Sequence, residues 1–188
     1  PSVTTVTGNP DDTGGGAVGA GLKVNFPRIG PGDYFQAQVG YAEGATKYTT
    51  NSSCGGSNVC DFFSGNQFAF GFAEDATFGG VFNGTGATTP TAIQLTTSWS
   101  VFASYEHFWT PSLRTSLYGS YFALSRNTVG NAQACGAIAV TSLACDSNWQ
   151  MSTVGSRTQG HVTKDFSVGL YVIYSKLNSA NLNGGNLF

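Results

Sequence analysis

The chain has 188 residues, of which 40% are hydrophobic and 10% charged, with a net charge of −2; a typical soluble domain carries about 25% charged residues. That balance gives no electrostatic reason to expect nucleic acid as a partner, and no run of about 18 apolar residues offers a membrane helix. The deficit is filled by 26 Gly and by aromatics at 13%, a mixture suited to one domain of β-strands joined by Gly-rich turns.

The chain begins at Pro1 with no initiator Met, basic n-region or apolar h-region, so a removed signal peptide or a longer parent polypeptide is expected. Gly14-x-Gly16-x-x-Gly19 matches a dinucleotide fingerprint in spacing, but it opens a strand rather than a helix and is read as a glycine-rich loop. The first strand, Ala17 to Pro27, alternates Ala20, Leu22, Val24 and Phe26 against Gly21, Lys23 and Asn25. Asp33 to Ala42 repeats the pattern, with Phe35, Ala37, Val39 and Tyr41 against Gln36, Gln38 and Gly40. Shorter strands are expected at Gln67–Ala73 and Ala76–Asn83.

Between Ile93 and Ser125 two long alternating arms flank a break at Thr110-Pro111-Ser112. In the first arm Ile93, Leu95, Trp99, Val101, Ala103 and Tyr105 oppose Gln94, Thr96, Ser98, Ser100, Ser104 and Glu106; in the second Leu113, Leu117, Tyr121 and Ala123 oppose Arg114, Ser116, Tyr118 and Ser120. This is a β-hairpin with one apolar and one polar face. Each arm exceeds the roughly 9–11 residues that cross a bilayer as a tilted strand, whereas soluble strands average about 5–6. Trp149–His161 and Phe166–Leu177 complete about eight strands.

Short joins at Arg28–Gly32, Glu74–Asp75, Thr110–Ser112 and Val162–Asp165 alternate with longer links at Glu43–Asn66, Gly84–Thr91 and Arg126–Asn148 and with a tail after Asn178. Short turns on one rim and long loops on the other predict an all-β, transmembrane, antiparallel up-and-down β-barrel of the outer membrane. Phe26, Tyr34, Phe35, Phe108, Trp109 and Phe166 lie beside the short turns, where one aromatic girdle is expected; Tyr41, Trp99, Tyr121, Trp149 and Tyr174 lie nearer the long loops.

Three runs, Val18–Tyr48, Trp99–Phe122 ("WSVFASYEHFWTPSLRTSLYGSYF") and Val154–Asn178, resemble in order the second half of alphaproteobacterial porins. The resemblance implies a sixteen-stranded, trimeric, water-filled barrel in the outer membrane of a Gram-negative bacterium, passing ions and small hydrophilic solutes passively. Residues 1–188 are then a porin segment, with the first strands and the inward-folded constriction loop expected before Pro1. The family's closing strand is expected beyond the chain, because Leu182–Phe188 reads as a Gly/Asn loop.

On polar-face parity Lys23, Glu106, Arg114 and Arg157 are the candidate pore-lining residues, since an Arg or Lys on the lipid face costs about 2–4 kcal/mol at midplane. Such charges bias which ions pass; alternatively Glu106 and Arg114 pair to brace the wall. Lys176 shares parity with Tyr174 and is placed at the membrane interface. The cysteines allow three connectivities; Cys54 with Cys60 and Cys135 with Cys145, each pair inside one long loop, is the economical one in an oxidising exterior. Neither spacing is C-x2-C, so no metal site is expected.

No catalytic residue or cofactor is expected either: His107 and Glu106 are adjacent and project to opposite faces, and nothing marks one Ser for an arrangement with His161. Sequons at Asn51 and Asn83 matter only in a host that glycosylates secreted proteins. The expected partners are outer-membrane lipid, two further copies of the chain, and ions and small hydrophilic solutes. The alternative is a secreted all-β binding module whose disulfide-pinned loops Glu43–Asn66 and Arg126–Asn148 contact a ligand.

Overall fold

A computed structural model describes residues 10–50, 59–64, 67–82, 88–137, 145–182 and 185–186. Its frame is one antiparallel sheet of β1 (Gly16–Asn25), β2 (Tyr34–Glu43), β7 (Thr97–Thr110), β8 (Leu113–Ser125), β9 (Asp146–Thr163), β10 (Phe166–Leu182) and the two-residue β11 (Gly185–Asn186), in the order β1-β2-β7-β8-β9-β10-β11. The sheet is open, with β1 and β11 at its edges. No helix among the described residues is long and apolar enough to cross a membrane, which says nothing of strands that cross.

The period-two pattern becomes two faces because the registers keep like parity together. Val18, Leu22 and Val24 pair with Tyr41, Ala37 and Phe35; Val39 and Tyr41 pair with Val101 and Trp99, and Leu170, Val172 and Tyr174 continue the face on β10. Apart from the half-buried Phe35 and Ala37, these apolar side chains are exposed, Leu170 by 70%. A soluble sheet would bury such a face, so its exposure across every long strand marks a surface made for a non-aqueous neighbour. The opposite face carries Lys23, Gln36, Ser104, Glu106, Arg114, Ser116 and Arg157.

Three short connections, at 26–33, 111–112 and 164–165, share one rim. In the first, Asp33 N–H closes onto Gly30 C=O at 3.1 Å, and Gly32, at φ +96°, takes the left-handed conformation that glycine alone adopts without cost. Asp33 is buried there. Its Oδ1 accepts the Phe108 N–H at 2.9 Å and its Oδ2 accepts Tyr105 O–H at 2.7 Å, with His107 Nδ1 2.6 Å from the same oxygen. Burial pushes the Asp33 carboxyl up, but the Phe108 amide, the Tyr105 hydroxyl and His107 outweigh it and hold its pKa down at about 2.

At the other rim the expected wall of about eight strands is revised. Gln67–Ala73 and Ala76–Asn83 are not wall strands: β4 (Gln67–Phe72) pairs with β3 (Val59–Ser64), and β5 (Ala76–Phe82) pairs with β6 (Thr88–Leu95), in two separate hairpins. The Glu74–Asp75 join therefore belongs to the long-loop rim, where Asp75 C=O accepts the Thr96 N–H at 2.9 Å. Thr96 divides the Ile93–Tyr105 arm, leaving Ile93–Leu95 to β6, although alternation runs through the break unchanged. Two further differences are extensions. Helix α1 (Thr128–Ala137) occupies the long loop after β8, started by Asn127 Oδ1 accepting the Gly130 N–H at 2.8 Å. β10 reaches Leu182 and turns back into β11, where a loop was expected.

Parts of the insert between β2 and β7, around Thr49, Cys60 and Ala73, pack on the polar face. Cys60 and Ala73 of the insert form one buried cluster with Phe122, Leu124, Trp149 and Met151 of the wall, and the Thr49 hydroxyl bonds that of Ser98. This explains why Met151 shares Arg157's parity: β8 and β9 pair without a bulge from Leu113↔Gly160 to Leu124↔Trp149, and the apolar upper half of that face is covered by the insert.

Candidate functional site

Below the insert, toward the short turns, the polar face is open and its charged groups converge. Tyr34 faces Glu106 across the β2–β7 ladder, Glu106 faces Ser116 across β7–β8, and Ser116 faces Arg157 across β8–β9. Successive strands thus deliver a row of polar side chains at one level, which no local sequence spacing shows.

Glu106 is the centre of that row. Its Oε2 accepts Tyr34 O–H at 3.0 Å and Ser116 O–H at 3.1 Å and lies 3.6 Å from Arg157 Nη2. Its Oε1 lies 3.0 Å from Arg114 Nη1 but without hydrogen-bond alignment, so that contact is Coulombic rather than a directed bond. Arg114 Nη2 donates to Gln159 Oε1 at 3.0 Å. Lys23 Nζ sits 4.0 Å from the Tyr34 ring centroid and the Arg157 guanidinium 5.8 Å from that of Tyr171, both within the reach of cation–π attraction. All four residues expected on polar-face parity, Lys23, Glu106, Arg114 and Arg157, therefore meet in one belt. Bracing of the wall by Glu106 and Arg114 is present; with Tyr34 and Gln159 it joins four strands, β2, β7, β8 and β9, rather than the two expected.

Tyr34 and Trp149 depart from the expected girdles. Tyr34 points to the polar face and serves Glu106; Trp149 is buried there and donates its indole N–H to Phe72 C=O at 3.0 Å. Both have even or odd parity that matches the polar side of their strands, a signal available in the sequence. Tyr41, Trp99 and Tyr174 are on the exposed apolar face, as are Trp109 and Phe166 near the short turns.

The residue that sequence reading missed is Arg126. Its side chain is 1% exposed, and its guanidinium grips Glu74 through Nε–Oε1 and Nη2–Oε2 contacts of 2.8 Å each. It also donates to the carbonyls of Phe72 and Ser147. Thr46 N–H and O–H donate to Asp75 at 2.7 and 2.8 Å, and the same hydroxyl reaches Ala73 C=O. The β4–β5 junction is thereby bolted to the end of β8 and the start of β9. A lone Arg in a loop carries no sequence mark of this; only its distant partners reveal it.

Cys135 and Cys145 form a disulfide that joins α1 to the residue before β9. Cys60 is disulfide-bonded; Cys54, like the sequons at Asn51 and Asn83, lies outside the described residues. No group of three or more potential metal ligands exists among the described residues.

No curated protein and no solved structure matches the chain. The model of a family described as a porin subfamily matches residues 2–186, and the chain, with its two-faced antiparallel wall, belongs to that family of porin-type outer-membrane channels.

Proposed function

We propose that the chain forms one side of a water-filled channel through which ions and small hydrophilic solutes diffuse passively across the outer membrane. The observation that carries this reading is the division of the sheet into an exposed apolar face and a polar face whose charged groups are gathered in one belt. Lipid contacts the first face, and water and solute contact the second. Lys23, Glu106, Arg114 and Arg157 line the lumen, and the part of the insert around Thr49, Cys60 and Ala73, packed on the same face, narrows it from the long-loop rim. The open sheet is completed by further strands of a larger barrel, which assembles as a homotrimer. Transport follows from the shape and polarity of the hole, without a reacting residue or a cofactor.

The complete polypeptide, reconstituted in planar bilayers, should give stepwise, ohmic conductance; membranes that stay tight at micromolar protein would end this reading. The secreted binding module predicts instead a protein that fractionates as a soluble monomer without detergent, which the exposed Val168, Leu170 and Val172 row argues against.

A further inference from the structure

We infer that the belt makes the channel favour small anions over cations, and that Arg114, Arg157 and Lys23 set this preference. The inference rests on the lumenal reading of the polar face and deepens it.

In the half of the wall nearest the short turns, the charged side chains that the strands place on this face are Lys23, Arg114, Arg157 and Glu106. Three positive groups against one negative leave a net of plus two. The count alone understates the asymmetry, because the groups are layered. The Glu106 side chain is 7% exposed, whereas Arg114 and Arg157 are 30% and 29% exposed, and Lys23 is exposed on β1. The carboxylate lies beneath the guanidinium groups, with one oxygen taken by the Tyr34 and Ser116 hydroxyls and the other facing Arg114. Its charge is directed into the wall.

The cations are held from behind or from the side. Lys23 lies over the Tyr34 ring, Arg157 beside the Tyr171 ring, and Arg114 against Gln159. Each cation retains N–H donors that these partners do not use, since a guanidinium has five and an ammonium three. A small anion passing the belt meets N–H donors and positive charge first; a small cation meets the same charge with no exposed carboxylate among the described residues of the belt to compensate.

The sign of the zero-current potential across a KCl gradient reads this directly. Measurement near 0.01 M salt is preferred, where screening extends over about 30 Å rather than about 10 Å at 0.1 M. The complete polypeptide should give a potential of the anion-selective sign. Replacing Arg114→Gln together with Arg157→Gln should lower the chloride-to-potassium permeability ratio about two- to fivefold, the range expected for charges a few ångströms from a hydrated path. Lys23→Gln, at a residue that is exposed and has no ion pair among the described residues, should shift the ratio in the same direction by less, and it serves if the double variant does not assemble. A cation-selective parent, or channels whose potential ignores these substitutions, would overturn the anion preference while leaving the channel intact. Membranes without any channels would overturn the channel reading itself.

Discussion

Across the wall, β7 and β8 pair from Thr97↔Ser125 to Thr110↔Leu113 along a nearly unbroken ladder, while β3 to β6 are strands of six to eight residues that pair only within their own hairpins. The wall is held by repetition: every residue adds a backbone bond and puts its side chain on an assigned face. The inserted segment reaches the wall instead through a few concentrated contacts, the Arg126–Glu74 pair, the Thr49–Ser98 hydroxyl bond and the cluster around Trp149. A regular ladder tolerates the loss of any one side chain far better than a segment that depends on a bolt.

Removing the bolt should separate the two regions most strongly. Arg126→Ala leaves Glu74 without its partner and should destabilise the seating of the insert by about 3 kcal/mol. Trp149→Ala removes a buried ring and its bond to Phe72 and should cost about 3–5 kcal/mol. Limited proteolysis should then cut rapidly within 44–96 while the far-ultraviolet strand signal persists. Resistance equal to the parent's would show that the insert does not depend on these tethers.

A second test concerns the wall alone. Leu170→Arg places a charge on the exposed apolar face and should lower unfolding stability in lipid vesicles by about 2–4 kcal/mol. Ser175→Arg, five residues along the same strand but on the polar face, should stay within about 0.5 kcal/mol of the parent. Equal costs would mean that the two faces do not meet different solvents.

The smallest effect is expected at the short-turn rim. Asp33 has its folded pKa lowered to about 2, against about 3.9 in an unfolded chain. Its contribution is therefore complete above about pH 4 and is lost as pH falls through about 2. In detergent, the melting temperatures of the parent and of Asp33→Asn should differ by a constant amount above that window and converge below it. A gap that persists at pH 2 would assign the effect to shape rather than to charge.

How far the sequence carries can be judged residue by residue. Parity alone put Lys23, Glu106, Arg114 and Arg157 on one face, and the registers brought them to one level. The same rule turns Tyr34 and Trp149 inward, against the girdles suggested by Tyr34's place beside a short turn and Trp149's near a long loop. Glu74–Asp75 was misplaced for a different reason. A two-residue join looks alike at either rim, and its position depends on Arg126, Thr46 and Thr96, which lie up to 52 residues away. Helix α1 was invisible because Thr128–Ala137 contains two glycines and little amphipathic pattern, and it is held by Asn127, the hairpin β5–β6 and the Cys135–Cys145 bridge.

The order of residues alone is enough to specify a two-faced antiparallel sheet with short turns on one rim. Alternation is a local property, written in consecutive side chains, and a strand needs only its neighbour to express it. It is the three-dimensional packing that sends two hairpins out of the wall, one of them onto its polar face, and that gathers Tyr34, Arg114 and Arg157 from three other strands around one buried carboxylate. Those outcomes depend on register and on single long-range bonds, which leave no periodic trace in the order of residues.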